Sequence, residues 1–394
     1  MDSSPLRAHW SLDPDVTFLN HGSFGACPTR VLEEQSRLRA RMEANPVRFL
    51  HRELPALADA ARESLGNFLD ANPDDLAFLP NATTGVNTVL RSLRFAPGDE
   101  LLTTDHEYNA SRNALDFVAQ EWGVTVVVAR LPWPLPSSQA VVDAVLSHVT
   151  ERTRLLLVDH VTSQTGLVLP VASLVRALKT RGVETLVDGA HGPGQVPVSL
   201  RELGAAYYTG NCHKWMCSPK GAAFLYVRRD LQPGIRPLVI SHGYNSRRED
   251  RSRFRLDFDW MGTNDPTPAL CIPTALETVD RLIPGGWTEV MARNRAQALA
   301  ARSLLHQKLG GAPRCPEDMV GSMATVALPN GFPEEPSALG LDPLQERLFD
   351  EHRIEVQITP WPRAPQRHVR ISAQLYNSHA EYQRLAEALV ALLR

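Results

Sequence analysis

The chain has 394 residues, with 43% hydrophobic and 22% charged side chains and a formal net charge of −3. This length and composition suit one large packed domain plus a smaller one, and the near-neutral charge argues against nucleic acid or another polyanion as a partner. No run approaches the ~18 apolar residues of a membrane helix, and the five cysteines lack a zinc-site spacing, which predicts reduced thiols, no metal site and a cytoplasmic location.

In chain order, the first clear pattern is a set of short apolar runs separated by segments with helical spacing. Seven runs are predicted as strands: 76–80, 100–104, 124–129, 154–160, 183–188, 205–210 and 222–227. Continuous apolar strands that alternate with helices are typical of a mostly parallel sheet covered on both faces. The pattern therefore predicts an α/β fold with a seven-stranded sheet.

The pattern changes after about residue 265. A long helical segment over 286–310 is followed by a predicted strand at 323–328, a helix at 342–352, a strand pair ending at 368–373 and a terminal helix. These elements predict a smaller α+β domain. We therefore divide the chain into an N-terminal segment, 1–20, a large domain, 21–265, and a small C-terminal domain, 266–394.

Polar clusters follow five of the predicted strands. They are NATTG (81–85), DHEYN (105–109), HVTSQTG (160–166), DGAH (188–191) and NCHK (211–214). Ligands of parallel α/β sheets bind beyond the carboxyl ends of the strands, so we expect these clusters to converge on one site.

Lysine is rare in this chain, and two of its four lysines lie in the stretch TGNCHKWMCSPKGAAF (209–224). A lysine is usually a solvated surface group, but Lys214 follows an apolar strand and lies between His213 and Trp215. An amine in that setting is a candidate for a Schiff base with a carbonyl cofactor. Lys220 lies in an SPKG turn and is interpreted as a turn residue.

Other strand-end residues each have a functional and a structural interpretation. Asp188 either caps a helix or pairs with the protonated ring nitrogen of pyridoxal phosphate (PLP). Thr83 and Thr84 either cap a helix or bind a phosphate at its N-terminus. His106 and Tyr108 either pack in the core or stack on a flat cofactor.

Arg370 lies in an otherwise apolar strand, HVRISA. A buried arginine needs an anion, so it forms either an internal salt bridge or a two-point contact with a substrate carboxylate.

The ordered set of motifs resembles a known family. FLNHGSFG (18–25), NATTG, DHEYN, VDGAH, TGNCHKW, MGTND (261–265) and VRISAQLYN (369–377) are similar to the class V aminotransferase branch of fold-type I PLP enzymes. The similarity spans about 18–378 and is greatest to the isopenicillin N epimerase-like group, which includes carbon–sulfur lyases. It implies a fold-type I transferase fold and PLP as cofactor.

The resemblance also implies roles for individual residues. Lys214 would bind PLP covalently, Asp188 would pair with the pyridine nitrogen, and His106, with Tyr108 as a substitute, would stack on the ring. The phenolic oxygen of PLP would contact His191 and Ser163. Its phosphate would be held by Thr83, Thr84, Asn211, His213 and, across the interface of a homodimer, Thr263. Arg370 would bind the carboxylate of an amino-acid substrate, with Asn20 and His21 in the N-terminal segment that closes over the site.

The reaction that the resemblance implies begins when Lys214 removes the α-proton of an amino acid. Epimerisation is the first interpretation, with His106, Tyr108, Cys212 or Cys217 as the second proton donor. A carbon–sulfur β-lyase acting on cysteine conjugates is the alternative, an aminotransferase a weaker one, and a binding protein that retains only the fold a non-enzymatic one. The segment TPWPRAPQRH (359–368) has no cysteine where desulfurases carry their nucleophile, which disfavours a persulfide-forming desulfurase.

Overall fold

The computed structural model describes residues 4–331 and 340–393. The strands are β1 Thr17–Phe18, β2 Leu76–Leu79, β3 Glu100–Thr104, β4 Thr125–Ala129, β5 Thr153–Asp159, β6 Glu184–Asp188, β7 Tyr207–Asn211, β8 Ala223–Val227, β9 Met323–Leu328, β10 Ile354–Glu355, β11 Gln357–Pro360 and β12 Arg367–Ser372. The helices are α1 His21–Phe24, α2 Thr29–Ala44, α3 Leu54–Leu69, α4 Ala82–Ser92, α5 Asn109–Trp122, α6 Ser138–Leu146, α7 Val171–Lys179, α8 Leu200–Leu203, α9 Arg253–Phe258, α10 Thr267–Leu270, α11 Ile272–Asp280, α12 Gly286–Leu309, α13 Pro343–His352 and α14 His379–Leu392.

The central sheet contains the seven predicted strands in the order β2-β8-β7-β6-β5-β3-β4. Strands β3 to β7 run parallel, with β4 at one edge, while β8 is antiparallel to both β7 and β2. The prediction of an α/β fold with a mostly parallel seven-stranded sheet is confirmed. The carboxyl ends of β5, β6 and β7 therefore lie side by side.

Helix α4 packs unusually closely on the sheet, and this contact positions its N-terminus. A Cβ atom built at Gly85 would lie 2.1 Å from the Thr209 Oγ1 atom of β7, so only glycine permits this approach. The apolar face of α4, including Val86, Val89 and Leu90, is buried in the core on that side of the sheet. The first turn of α4 is thereby fixed beside the end of β7.

A three-stranded antiparallel sheet in the order β11-β12-β9 forms the smaller unit, with α12, α13 and α14 packed around it. Strand β1 pairs in parallel with β10, which joins the N-terminal segment to this unit. The domain boundaries at residues 20 and 265 stay a prediction. The predicted N-terminal segment and small domain also include residues 1–3, 332–339 and 394, which lie outside the described residues.

Within the described residues, no helix is both long and apolar enough to cross a membrane. All five cysteines are unpaired, and four of them are buried.

Candidate active site

A cavity of about 430 Å³ opens at the carboxyl ends of β5, β6 and β7. Eight of the residues proposed from sequence line it: Thr83, Tyr108, Ser163, Asp188, His191, Asn211, His213 and Lys214. The strand-end clusters therefore converge, as the parallel topology requires. Six proposed residues do not line this cavity: Asn20, His21, Thr84, His106, Thr263 and Arg370.

Lys214 faces the cavity, and its amine lies 3.0 Å from the Nε2 atom of His191. Trp215 Nε1 donates to His191 Nδ1 at 3.3 Å, so a neutral His191 carries its proton on Nε2 and donates it to the lone pair of the lysine. Burial, and next the charge of Arg370, lower the pKa of Lys214 to about 8. Both effects favour a neutral, nucleophilic amine.

Asp188 ends β6 and is buried at the floor of the cavity. Its two oxygens accept hydrogen bonds from Ser111 Oγ at 2.9 Å and from the Ala190 amide at 3.0 Å. Burial raises the pKa of Asp188 above its usual range, and the lowering effects of these two donors and of the charge of Lys214 do not outweigh it. These two hydrogen bonds therefore hold the carboxylate in one orientation.

The N-terminus of α4 presents backbone and side-chain donors to the cavity. Asn81 caps the helix, because its Oδ1 atom accepts hydrogen bonds from the backbone amide of Thr84 at 2.8 Å and from the Thr84 hydroxyl at 3.0 Å. Thr83 lines the cavity instead, and Asn211 accepts from the Ala82 amide at 2.8 Å. Asn211 thus has its Nδ2 group left as a donor, and this helix start suits an anion.

His213 Nδ1 lies 2.9 Å from the Ala222 carbonyl and donates to it, so Nε2 of the neutral ring is an acceptor. Burial, and next the charge of Lys214, lower the pKa of His213 to about 4. To donate to a phosphate the ring must take up a proton, which a neighbouring dianion favours.

Arg370 is 3% exposed and lies in β12 beside the cavity. Its guanidinium donates to the Ser163 carbonyl, to Ser23 Oγ at 2.9 Å and to Asn20 Oδ1 at 3.3 Å. Within residues 4–331 and 340–393, no carboxylate pairs with it and its Nε atom has no partner. The structure therefore does not support an internal salt bridge, and the charge is available to an external anion.

Asn20 and His21 brace this region rather than line the cavity. His21 contacts the Lys214 carbonyl at 3.0 Å through Nε2 and the Tyr376 hydroxyl at 2.8 Å through Nδ1. Asn20 donates to Glu355 at 3.2 Å and accepts from Arg370. Both residues hold the backbone or side chain of a site residue in position.

The two aromatic candidates of the DHEYN motif point in different directions. Tyr108 lines the cavity, whereas His106 is buried against Trp361 with ring centroids 4.2 Å apart. His106 Nδ1 also lies 2.8 Å from Thr165 Oγ1. The ring that borders the cavity is therefore Tyr108, the residue that sequence analysis ranked as a substitute.

Sequence reasoning missed several residues of the site. Asp159 ends β5 and lines the cavity beside Asp188, and the buried Glu107 lies within the same group of carboxyls. The signal was available, because Asp159 follows an apolar strand just as Asp188 does. Lys220, interpreted as a turn residue, also lines the cavity and donates to the Gly25 carbonyl at 2.9 Å.

Thr263 and the two cysteines beside the lysine lie away from the cavity. Thr263 is exposed on the loop before α10. Cys212 and Cys217 are fully buried, and burial raises the pKa of both thiols. Neither thiol reaches the cavity, so neither is placed to exchange a proton there.

Comparisons with known proteins agree with this architecture. The family model for class-V aminotransferases matches residues 18–283. Isopenicillin N epimerase of Amycolatopsis lactamdurans is 39% identical over 98% of this chain and 97% of its own length. A probable chloroplastic L-cysteine desulfhydrase of Arabidopsis thaliana is 31% identical over 100% of this chain and 86% of its own length. A solved structure of C-DES with glycine covalently linked to its PLP cofactor superimposes with a TM-score of 0.79 at 22% identity, covering 98% of each chain.

The family match spans more than half of the chain, and the epimerase and desulfhydrase are similar over nearly its full length. The resemblance seen in the motifs is thereby confirmed, and the chain belongs to the class-V aminotransferase family.

Proposed function

We propose that this chain is a PLP-dependent enzyme that abstracts the α-proton of an amino-acid substrate. The observation that carries the proposal is the cavity that combines Lys214 with Asp188 and lies beside the buried Arg370, with which no carboxylate of the described residues pairs. A lysine, an aspartate and a free guanidinium match a carbonyl cofactor, a protonated ring nitrogen and a substrate carboxylate in turn.

The residues around the cavity fit PLP by the chemistry of their donors. Asp188 would accept from the ring nitrogen, His191 and Ser163 would contact the phenolic oxygen, and Tyr108 would cover the ring. The phosphate would be held at the start of α4 by Thr83, Asn211 and His213, with Thr84 acting through the cap and Thr263 supplied by a partner subunit. When bound, PLP withdraws electrons from the α-carbon of an amino acid and so acidifies its proton.

The protein groups then have distinct tasks. Lys214 is the base that receives the α-proton, because its lowered pKa leaves about half of the amine neutral near pH 8 and most of it neutral above that pH. Arg370 fixes the substrate carboxylate with a two-point contact. Asp188 keeps a negative charge at the floor of the cavity, where it stabilises a protonated ring nitrogen.

Epimerisation is the first candidate reaction, supported by the 39% identity to an isopenicillin N epimerase. Carbon–sulfur β-elimination is the second, supported by the 31% identity to a probable cysteine desulfhydrase. Elimination needs only the base and a substrate with a leaving group at Cβ, whereas epimerisation also needs a proton donor on the other face of Cα. Transamination is a weaker third candidate. A binding protein without activity does not fit the family to which the chain belongs.

One experiment tests both the cofactor and the reaction. The purified protein is screened with L- and D-amino acids and cysteine conjugates in D2O, with the visible absorbance of the bound cofactor as a first readout. Deuterium at Cα with inversion supports the epimerase, and release of pyruvate and ammonia supports the lyase. Lys214→Ala should abolish turnover, while the exposed Lys179→Ala is the matched control that should retain it. Full turnover by Lys214→Ala would refute the proposal.

A homodimer and a cytoplasmic location are also proposed. Leu238, Val239, Ile240 and Tyr244 form an exposed apolar stretch, which supports burial against a second copy. Light scattering of the purified protein tests the dimer, and a monomer at micromolar concentration would contradict it. The unpaired cysteines support a reducing compartment, which cell fractionation tests.

A further inference from the structure

Three buried carboxyl groups, those of Glu107, Asp159 and Asp188, lie together at the floor of the cavity. Their oxygens are within 4.8 Å of one another, and the residues are 6%, 2% and 2% exposed. Asp159 and Asp188 are direct neighbours in the register of β5 and β6. Three negative charges this close in a protein interior repel strongly, so protons must occupy part of the cluster at neutral pH.

The hydrogen bonds indicate which carboxyl is ionised. Both oxygens of Asp188 accept a hydrogen bond, as described above. In contrast, Glu107 Oε1 and Asp159 Oδ2 are buried without any partner within the described parts of the chain, although Glu107 Oε2 accepts from Thr103 at 3.1 Å. Donors stabilise a carboxylate, and an oxygen without one is better suited to carry the proton itself.

We propose that Glu107 and Asp159 are neutral positioning residues that hold the protons of this cluster and leave its negative charge on Asp188. The inference rests on the proposed function only for the role of that charge, which is to face the ring nitrogen of PLP. A single ionised carboxylate matches a single protonated nitrogen, whereas two or three would leave a buried excess of charge.

The groups around the cluster are compatible with this assignment. The titratable or charged side chains that face it are Tyr108, Arg112, Tyr208 and Lys214. Burial raises the pKa of all three carboxyls, and neighbouring carboxylates add to this for Glu107, whose pKa rises to about 8, and for Asp159, whose pKa rises well above its usual range. The Tyr108 amide, Arg112 and Lys214 lower the pKa values of Glu107 or Asp159 but do not outweigh these effects.

Carbon-13 NMR of the holoenzyme, labelled at the side-chain carboxyls of aspartate and glutamate, tests the proton positions directly. Asp159→Asn, Glu107→Gln and Asp188→Asn each remove one resonance and thereby assign it in the wild-type spectrum. Between about pH 5 and about pH 7, the Glu107 and Asp159 resonances should stay at the position of a protonated acid and that of Asp188 at the position of a carboxylate. A protonated Asp188, or an ionised Asp159, would overturn the inference, as would broadening of the cluster by added Mn²⁺, which would indicate a bound cation instead.

The pH dependence of unfolding is a second readout for Asp159→Asn. A carboxyl whose pKa is raised in the folded state contributes stability at low pH that is lost as the pH rises. The melting temperature of the variant should therefore fall less than that of the wild type between about pH 4 and about pH 8. An equal or steeper fall would contradict the inference. Purified protein without PLP, but with the expected carboxyl pattern, would refute the proposed function and leave this inference standing.

Discussion

The variant Arg370→Gln tests whether Arg370 binds the substrate carboxylate or only stabilises the fold. The variant retains a polar side chain of similar reach but removes the charge and the two-point geometry that a carboxylate recognises. Because the hydrogen-bond partners of Arg370 are two oxygen-bearing side chains and a backbone carbonyl, none of them neutralises it.

The expected loss of activity follows from the charge-assisted hydrogen bonds. Each is worth about 1.5 to 3 kcal/mol, so losing the two-point contact should cost about 3 kcal/mol, or about 100-fold in kcat/KM. Arg370→Lys retains the charge but not the fork and should lose about tenfold. Most of the change should appear in KM, because the carboxylate contact exists before and during the reaction.

The stability of the variant should hardly change. Burial lowers the pKa of Arg370 from 12.5 to about 10, and at about 1.4 kcal/mol per pKa unit the desolvated cation costs the fold about 3 kcal/mol. Because the pKa of this base is lower in the folded than in the unfolded protein, the charged form that is present at neutral pH opposes folding. Its three hydrogen bonds to neutral partners, part of which glutamine can keep, offset this cost, so the free energy of unfolding should change by less than about 1 kcal/mol.

Arg62→Gln is the matched control. Arg62 is 2% exposed but pairs with Asp59 and Asp259 and donates to the Leu76 carbonyl at 3.0 Å. This variant should leave KM unchanged, because Arg62 lies away from the cavity, and should lower the free energy of unfolding by about 1 to 2 kcal/mol, because it removes two ion pairs with partly exposed carboxylates. Urea unfolding and steady-state kinetics measure both quantities. An Arg370→Gln variant with wild-type KM and markedly lower stability would refute the substrate role.

Three further predictions follow from the cavity and its supports. Tyr108→Ala should weaken PLP binding by about fivefold in a fluorescence titration, since ring contacts contribute about 1 kcal/mol, while His106→Ala should chiefly lower the melting temperature. The reverse pattern would show that His106 covers the cofactor. The rate at which cofactor-free protein takes up PLP should rise with pH and level off above about 8, because only neutral Lys214 is nucleophilic, and a rate independent of pH would contradict this. Gly85→Ala should lower the free energy of unfolding by about 1 to 3 kcal/mol, since the new Cβ atom meets Thr209. Adding Thr209→Ala should restore part of that loss. A Gly85→Ala variant with unchanged free energy of unfolding would disprove the close packing.

The sequence predicted the sheet and the convergence of its strand ends because both depend on local information. Apolar runs and helical spacing identify the strands, and parallel strands place all their carboxyl ends at one edge. Asp188, His191 and Lys214 could therefore be assigned to one site before the fold was known. The boundaries shifted by one or two residues, as β7 shows by beginning at Tyr207 instead of residue 205.

Other features depend on side-chain direction and tertiary contacts, which periodicity does not encode. The choice between His106 and Tyr108 depends on Trp361, which is distant in sequence and packs against the histidine ring. That no carboxylate of the described residues pairs with Arg370 could only be seen once its partners on two separate segments were placed, Asn20 and Ser23 on one and Ser163 on the other. Asp159 was overlooked because the predicted strand ran to residue 160 and so placed it inside the strand, whereas β5 ends at Asp159.

The residues around the cavity also limit how an epimerisation could proceed. Cys212 and Cys217 are enclosed by protein and do not line the cavity, and His106 is turned toward Trp361. Of the second proton donors considered from sequence, only Tyr108 borders the cavity. Two titratable groups that the sequence analysis had not placed there also line it: Lys220, and Asp159, which lies beside Asp188 at the floor. Elimination requires none of these groups, since the leaving group departs from Cβ once Lys214 holds the α-proton. The choice between the two reactions therefore depends on whether one of these groups can reach the face of Cα opposite Lys214.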